Sequence, residues 1–100
     1  MSRYIRGMIA SIRDQRLVDI MAGRVPKRFP ANLAVAVERK MGILVAAKAL
    51  DDLNSPPGNR LESLRRNRAG QHSIRVNDQW RICFVWGGEG AENVELVDYH

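Results

Sequence analysis

This sequence has little cysteine and no long apolar run, and each shortage excludes a class of protein. The single cysteine, Cys83, has no partner within the chain for a disulfide, which predicts a reducing, cytoplasmic location. No apolar run approaches the roughly 18 residues that a membrane-spanning helix needs. Arginines interrupt the N-terminus, where a secretion signal would have an unbroken apolar core. We therefore expect a protein that is neither exported nor embedded in a membrane.

Several familiar catalytic and cofactor-binding motifs are also missing. His72, Cys83 and His100 do not show the spacing of zinc ligands. There is no serine or cysteine nucleophile motif, and the glycine-rich run at 87–90 follows a strand pattern without opening a helix, unlike a phosphate-binding loop. We therefore expect no bound metal and no cofactor.

Acidic residues are scarce in the middle of the chain. The formal net charge is +5. Residues 60–81 contain six arginines but only two acids, whereas residues 82–100 contain four acids and neither lysine nor arginine. A concentration of positive charge predicts an anionic partner, such as nucleic acid or an acidic protein. The six arginines are Arg60, Arg65, Arg66, Arg68, Arg75 and Arg81.

The N-terminal half predicts a short strand followed by two helices. Residues 1–7 show no periodicity and predict an extension to a single domain at 8–100, in which residues 8–12 are a strand candidate. Apolar residues at helical spacing predict a short helix over 14–21 and a longer one over 31–48. Gly23 and Pro30 are typical of a helix end and a helix start. Lys40 and Lys48 lie off the apolar stripe of the second helix.

The C-terminal half predicts only strands. Residues 55–58, Ser-Pro-Pro-Gly, end the helical part, and strands are predicted over 60–65, on both sides of a turn at 77–79, and over 92–99. The order is strand, helix, helix and four strands. This order predicts an α+β fold with two helices packed on a twisted, mostly antiparallel sheet, whose other face is left to water and ligands.

The register of the central hairpin follows from its apolar pattern. A three-residue loop at 77–79 pairs Ile74 with Ile82 and keeps every large apolar side chain on one face. Arg75 then lies opposite Arg81. Like charges in that position cost up to about 1 kcal/mol unless an anion lies between them. The polar face is therefore a candidate phosphate site, with a solvated surface as the alternative.

Other polar and aromatic groups have competing structural explanations. The terminal Asp98-Tyr99-His100 contains groups capable of proton transfer, although chain termini are most often frayed and chemically idle. Tyr99 is also a candidate for stacking on bases, whereas both tryptophans are expected to fill the core. His72 is expected to be half-buried and hydrogen-bonded.

Four motifs in the C-terminal half together resemble a known toxin family. They are Pro57-Gly58-Asn59-Arg60-Leu61, Arg68-Ala69-Gly70-Gln71, the hairpin from Ser73 to Phe84, and Val97-Asp98-Tyr99-His100. On these residues the chain resembles the HigB branch of the RelE/ParE toxin superfamily. In length and order of elements, the resemblance covers most of residues 8–100.

The resemblance implies an activity and a set of partners. HigB toxins belong to bacterial toxin–antitoxin pairs and cleave mRNA in the ribosomal A site, with the ribose 2′-OH as nucleophile and without a metal. It therefore implies an endoribonuclease whose partners are the ribosome, mRNA and a helix-turn-helix antitoxin, with operator DNA bound only through the antitoxin complex.

The resemblance also implies roles for individual residues. Asp98, Tyr99 and His100 match the active-site strand of the family. Arg65 and Arg81 match its phosphate-binding residues. Glu62 stands where certain relatives carry a histidine and is a further catalytic candidate. The charge pattern adds four RNA-binding candidates: Arg60, Arg66, Arg68 and Arg75.

Two alternative functions are consistent with the same sequence. One is a toxin of the same fold with another target, as in the gyrase-directed ParE branch. The other is a non-catalytic RNA- or protein-binding module.

Overall fold

The computed structural model describes residues 9–99, which form two α-helices, four strands and short 3-10 turns. The elements are α1 (Gln15–Met21), α2 (Ala31–Ala46), β1 (Glu62–Ser63), β2 (His72–Arg75), β3 (Trp80–Gly87) and β4 (Gly90–Asp98). The strands form one antiparallel sheet in the order β1-β2-β3-β4. The predicted α+β architecture is confirmed. The proposed extension at 1–7, together with Met8 and His100, lies outside the described residues.

The predicted first strand is present only as two isolated parallel bridges. Ile9 pairs with Ala91 and Ile12 with Val94, both along the edge of β4. A regular ladder does not form because β4 contains a bulge: the register with β3 shifts, and Asn93 has a φ of 54°. A bulge increases the local twist of a strand and interrupts its pairing.

Helix α1 is short, and its first turn is fastened to the sheet. The Asp14 carboxylate caps the helix by accepting the Arg16 backbone N–H at 3.1 Å, and it also accepts the Leu96 N–H of β4 at 3.0 Å. The Arg16 guanidinium donates to the Leu96 carbonyl at 3.0 Å. The chain leaves the helix through Gly23 at a φ of 87°, as the sequence predicts.

Helix α2 carries the apolar stripe that covers the sheet. Leu33, Val37, Met41 and Leu44 are buried together with sheet residues that include Ile82. The helix ends at Ala46, two residues before the predicted end. The next backbone N–H groups, at residues 48 and 49, donate instead to an aspartate carboxylate at position 52. Neither helix of the described residues is long and apolar enough to cross a membrane.

The hairpin has the predicted register. Ile74 lies opposite Ile82 and Arg75 opposite Arg81. The turn is closed by the Asn77 side chain, whose Oδ1 accepts the backbone N–H groups of residues 79 and 80, each at 2.8 Å.

Both tryptophans pack against the core, as expected. Cys83 is fully buried, and its burial raises the pKa of the thiol to about 11.

Strand β1 is much shorter than predicted. The sequence indicates an extended run over 60–65, but only Glu62–Ser63 pairs with β2. Arg60 has left-handed backbone angles (φ 45°, ψ 58°), which end the extended conformation on one side. Arg66, with a φ of 59°, begins a turn on the other side. The short strand leaves the carbonyl of Arg60 turned toward the open face of the sheet, where it accepts a hydrogen bond from Arg81.

Candidate active site

The open face of the hairpin is the floor of a surface pocket of about 670 Å³. The pocket contains three catalytic candidates, Glu62, Arg81 and Tyr99, and two RNA-binding candidates, Arg60 and Arg75. They come from the turn before β1, from β1, β2 and β3, and from the chain end after β4. Gly58, Asn77 and Asp78 complete the lining. The sheet thus gathers residues that are up to 41 positions apart, from Gly58 to Tyr99, on one concave surface.

Arg81 is the most tightly held of these side chains. It is 8% exposed, and its Nε donates to the Ser73 hydroxyl at 2.7 Å. Its Nη2 donates to the Arg60 carbonyl and lies 3.8 Å from a Glu62 carboxylate oxygen. Within residues 9–99, the Arg81 hydrogen bonds use only Nε and Nη2. The Nη1 donors therefore remain for a ligand in the pocket that Arg81 lines.

Arg75 and Arg81 lie opposite each other, and each binds its own acceptor, which reduces the repulsion between their charges. The Arg75 guanidinium pairs with Asp78 in the turn, while Arg81 is held by Ser73 and Arg60. The Asp78 side chain is fully exposed, and such surface ion pairs contribute little stability, typically about 0–1 kcal/mol. A phosphate oxygen can therefore replace Asp78 at small cost, which leaves two cations on one side of the pocket.

Tyr99 is placed next to Arg81 and retains its proton. The Arg81 Cζ lies 5.9 Å from the centre of the Tyr99 ring, within cation–π range. The Tyr99 backbone N–H donates to the Gln79 carbonyl at 2.6 Å. Burial, with a smaller contribution from Cys83, raises the pKa of the Tyr99 phenol, and the nearby arginines only partly oppose this. At neutral pH the phenol is a proton donor.

Glu62 supplies a carboxylate on the same surface. It pairs with Ser73 in the sheet register, and its side chain is 56% exposed. It is therefore accessible to a ligand and close enough to Arg81 to be oriented by it. Asp78 is the other acid that lines the pocket.

Asp98 does not line the pocket. It pairs with Trp80 of β3, which packs against the core, so strand alternation places Asp98 on the helix-covered side of the sheet and Tyr99 on the open side. The Asp98 carboxylate accepts a hydrogen bond from the Gln79 side-chain amide at 3.1 Å. The third residue of the terminal motif, His100, is outside the described residues.

The remaining arginines of the cluster are separated from the pocket. Arg65 and Arg66 are exposed in the turn after β1. Arg68 donates to the Glu95 carboxylate at 2.8 Å and to Gln71 at 2.9 Å. Arg68 thus bridges its own turn to β4 through an ion pair that is partly exposed to solvent.

Three buried polar residues near the site were not among the candidates from the sequence. Ser73 and Arg75 are two positions apart in β2, so their side chains lie on the same face of the sheet as Arg81. Strand alternation could therefore have identified Ser73 as a partner of Arg81. Lys40, which lies off the apolar stripe of α2, is only 7% exposed because the buried Asn59 accepts its amine at 2.6 Å. No local pattern signals that contact.

Within residues 9–99, no group of three or more His, Cys, Asp or Glu is placed to hold a metal ion.

His72 is half-buried as expected, but the expected hydrogen bond is wrong. Its ring stacks on Phe84, with 6.1 Å between the ring centres. The Nδ1 atom is buried and has no hydrogen-bond partner in the described part of the chain. The position serves aromatic packing, and the unsatisfied nitrogen lowers stability.

Comparison with known proteins decides the family. The family model for HigB-like toxins, the RelE-like toxin of the type II toxin–antitoxin system HigB, matches residues 12–100. This chain belongs to the HigB-like toxin family. Membership of a type II toxin–antitoxin system implies an antitoxin partner for this HigB-like toxin. The matched range includes every residue that lines the pocket.

Individual relatives agree with this assignment. The HigB-like chain is 51% identical over 68 residues to Toxin HigB-1 of Vibrio cholerae, an alignment that covers 68% of this chain and 72% of the relative. It is 34% identical over 74 residues to an uncharacterized protein of Haemophilus influenzae, over 74% and 73% of the two chains. The crystal structure of YafQ from E. coli strain BL21(DE3) superposes with a TM-score of 0.62 over 93% of each chain at 12% identity, which shows a shared fold.

Proposed function

We propose that this HigB-like toxin is a ribosome-dependent endoribonuclease that cleaves mRNA in the ribosomal A site. RelE-like toxins in general are endoribonucleases. The observation that carries the proposal is the pocket, in which two opposed arginines, a carboxylate and a protonated phenol share one concave surface. Cations, a proton acceptor and a proton donor are the groups that RNA cleavage by the ribose 2′-OH requires.

The arginines stabilise the charge that develops on the scissile phosphate. Arg81 is fixed by Ser73 and Arg60, so its remaining donors are preorganised for a non-bridging phosphate oxygen. Arg75 approaches from the neighbouring strand after releasing Asp78. The Arg60 side chain, which lines the same pocket, contacts the adjacent backbone phosphate.

Two groups in the pocket move the protons. The Glu62 carboxylate accepts the proton of the 2′-OH as this oxygen attacks phosphorus. The Tyr99 phenol donates its proton to the 5′-oxygen as the P–O5′ bond breaks. The products are a 2′,3′-cyclic phosphate and a free 5′-hydroxyl, and no metal takes part. Removing a general acid or base of this kind typically slows a reaction by about 10²- to 10⁴-fold.

The other candidates take roles that agree with their positions. Asp98 holds the chain end through Gln79, and it enters the reaction directly only if RNA binding turns it toward the open face. His100 follows Tyr99 and is assigned to the active site by the family motif alone. Arg65 and Arg66 contact the RNA backbone or ribosomal RNA from the exposed turn. Arg68 joins them only if the RNA displaces Glu95.

The partners follow from the same proposal. The toxin acts in the cytoplasm, where ribosomes and mRNA are found. The antitoxin is a helix-turn-helix protein that neutralises the toxin by covering the basic pocket or by blocking ribosome docking. The operator DNA is bound by the antitoxin within the complex.

The decisive experiment is cleavage of a defined mRNA on programmed ribosomes by the purified toxin. We expect cleavage within the A-site codon only when ribosomes are present, and none when the ribose before the scissile bond is 2′-deoxy. Arg81→Ala and Glu62→Gln should each slow single-turnover cleavage by about 10²-fold or more. Arg13→Ala, at an exposed arginine remote from the pocket, should leave the rate within about twofold.

Three results would reject the proposal. Cleavage of the 2′-deoxy substrate would exclude the 2′-OH mechanism. Growth inhibition that persists after residues 98–100 are deleted, without new mRNA ends in the cell, would favour a toxin with another target. Absence of both cleavage and toxicity would favour a binding module.

A further inference from the structure

Asn59 is a fully buried polar residue that joins three segments behind the pocket. Its Oδ1 accepts the Lys40 amine of α2 at 2.6 Å, and its Nδ2 donates to the carbonyls of Leu53 at 3.1 Å and Ser55 at 3.3 Å. Both ends of the carboxamide are therefore occupied. The side chain fixes the position of its own backbone relative to the helix and to the preceding turn.

The residue after Asn59 is held in an unusual conformation. Arg60 has left-handed angles, which residues with a side chain adopt only when their surroundings impose them. Its N–H donates to the Pro57 carbonyl at 3.1 Å, and its own carbonyl accepts Arg81 Nη2. The direction of that carbonyl depends on the short turn at 57–59, which Asn59 anchors.

The Lys40 side chain completes the anchor from the helix. Burial, together with the positive charges of Arg39 and Arg75, lowers the pKa of Lys40. Its hydrogen-bond acceptor is a neutral amide instead of a carboxylate. Losing the amine would leave the Asn59 oxygen buried without a donor, which is costly in a dry environment.

We propose that Lys40 and Asn59 are positioning residues that set the orientation of the Arg81 guanidinium through the carbonyl of Arg60. Neither side chain lines the pocket. This inference rests on the proposed nuclease function, because Arg81 is the cation that this function assigns to the scissile phosphate. It gives a role to Lys40, which lies outside the family motifs, and to Asn59, to which the motif of residues 57–61 assigned none.

The test compares the same substitution at a buried and an exposed lysine of the same region. Lys40→Met removes the buried amine, and Lys48→Met makes the same change of charge at an exposed position. We expect Lys40→Met to lower the single-turnover cleavage rate on programmed ribosomes by about tenfold or more, with ribosome affinity unchanged, since small displacements of catalytic groups are costly. Lys48→Met should remain within about twofold.

A double-mutant cycle separates positioning from general destabilisation. If Lys40 acts through Arg81, Lys40→Met should cause no further loss of rate in an Arg81→Ala background. Multiplicative losses in that background, or a wild-type rate for Lys40→Met, would overturn the proposal. The same comparison with Lys48→Met provides the baseline.

An NMR measurement tests the positioning without using cleavage. The cross-peak of the Arg81 Nε–H group, which bonds Ser73, should shift in Lys40→Met and stay in place in Lys48→Met. An unmoved cross-peak in Lys40→Met overturns the inference. If wild-type toxin does not cleave ribosome-bound mRNA, the proposed function fails, while this cross-peak still decides whether Lys40 positions Arg81.

A second variant serves if Lys40→Met does not fold. Asn59→Asp keeps the shape of the side chain and an acceptor for Lys40, but it removes the amide donor that binds the Leu53 and Ser55 carbonyls. We expect the same shift of the Arg81 cross-peak and a comparable loss of rate. If both remain at wild-type values, Asn59 does not position Arg81.

Discussion

Asp14 offers the sharpest test of how the helical layer is attached to the sheet. Its carboxylate caps α1 and accepts the Leu96 N–H at the edge of β4. Asp14→Ala removes a helix cap, which costs about 1 kcal/mol, and leaves a partly buried N–H unsatisfied, which costs about 1–3 kcal/mol. We expect the free energy of unfolding to fall by about 2–4 kcal/mol, which corresponds to a decrease in Tm of roughly 10–25 °C for a domain of this size.

The same residue predicts how stability changes with pH. Burial by itself would raise the pKa of Asp14, but hydrogen bonds from Arg16 and Leu96 outweigh it and leave the pKa lowered from its ordinary value of 3.8. The ionised carboxylate therefore stabilises the fold above that pH, and its contribution is lost as the pH falls through the lowered value in the folded protein. The difference in stability between wild type and Asp14→Ala should be constant near neutral pH and should shrink below about pH 4.

Urea unfolding monitored by circular dichroism measures both effects. Asp19→Ala is the matched control, because Asp19 lies in the same helix but its carboxylate binds only exposed side chains, Gln15 at 3.0 Å and Arg24 at 3.4 Å. Its effect should stay below about 1 kcal/mol. A loss of less than about 0.5 kcal/mol for Asp14→Ala, or a difference that persists undiminished at pH 2, would refute the attachment argument.

Three further experiments test other features, two with variants and one by chemical labelling. His72→Phe should raise the free energy of unfolding by about 1 kcal/mol, because it keeps the stacking on Phe84 and removes an unsatisfied nitrogen; a loss of stability in urea would show that the nitrogen has a role. Cys83 should resist alkylation at pH 8 until the protein unfolds, since the thiol is buried with a pKa of about 11; rapid labelling of native protein would contradict its burial. Tyr99→Phe should slow single-turnover mRNA cleavage by about 10²-fold while the protein remains folded; a wild-type rate would remove Tyr99 as the proton donor.

Strand alternation accounts for what the sequence predicted well. The apolar pattern placed Ile74 opposite Ile82, and that one pairing determined that Arg75 and Arg81 meet on the open face. The same alternation separates Tyr99 from Asp98, although the family motif treats them as one unit. The catalytic roles of the terminal residues stay predictions.

The parts that could not be predicted depend on contacts between distant residues. The left-handed conformation of Arg60 shortens β1, and nothing in an arginine side chain indicates it. The burial of Lys40 requires an acceptor 19 positions later in the chain, so a helical-stripe argument assigns it to the surface. Both errors concern the turn that shapes the pocket, where backbone conformation is set by tertiary hydrogen bonds.

The bridges and side-chain bonds along β4 also determine how another protein can approach this sheet. The backbone of β4 is occupied at Ala91 and Val94 by residues 9–13 and at Leu96 by the first turn of α1. At the opposite edge, β1 offers only two residues. A partner that extends a sheet needs a longer run of unpaired backbone groups. We therefore expect partners to bind the described part of the chain through side-chain surfaces, and we expect little edge-to-edge pairing between copies of the toxin.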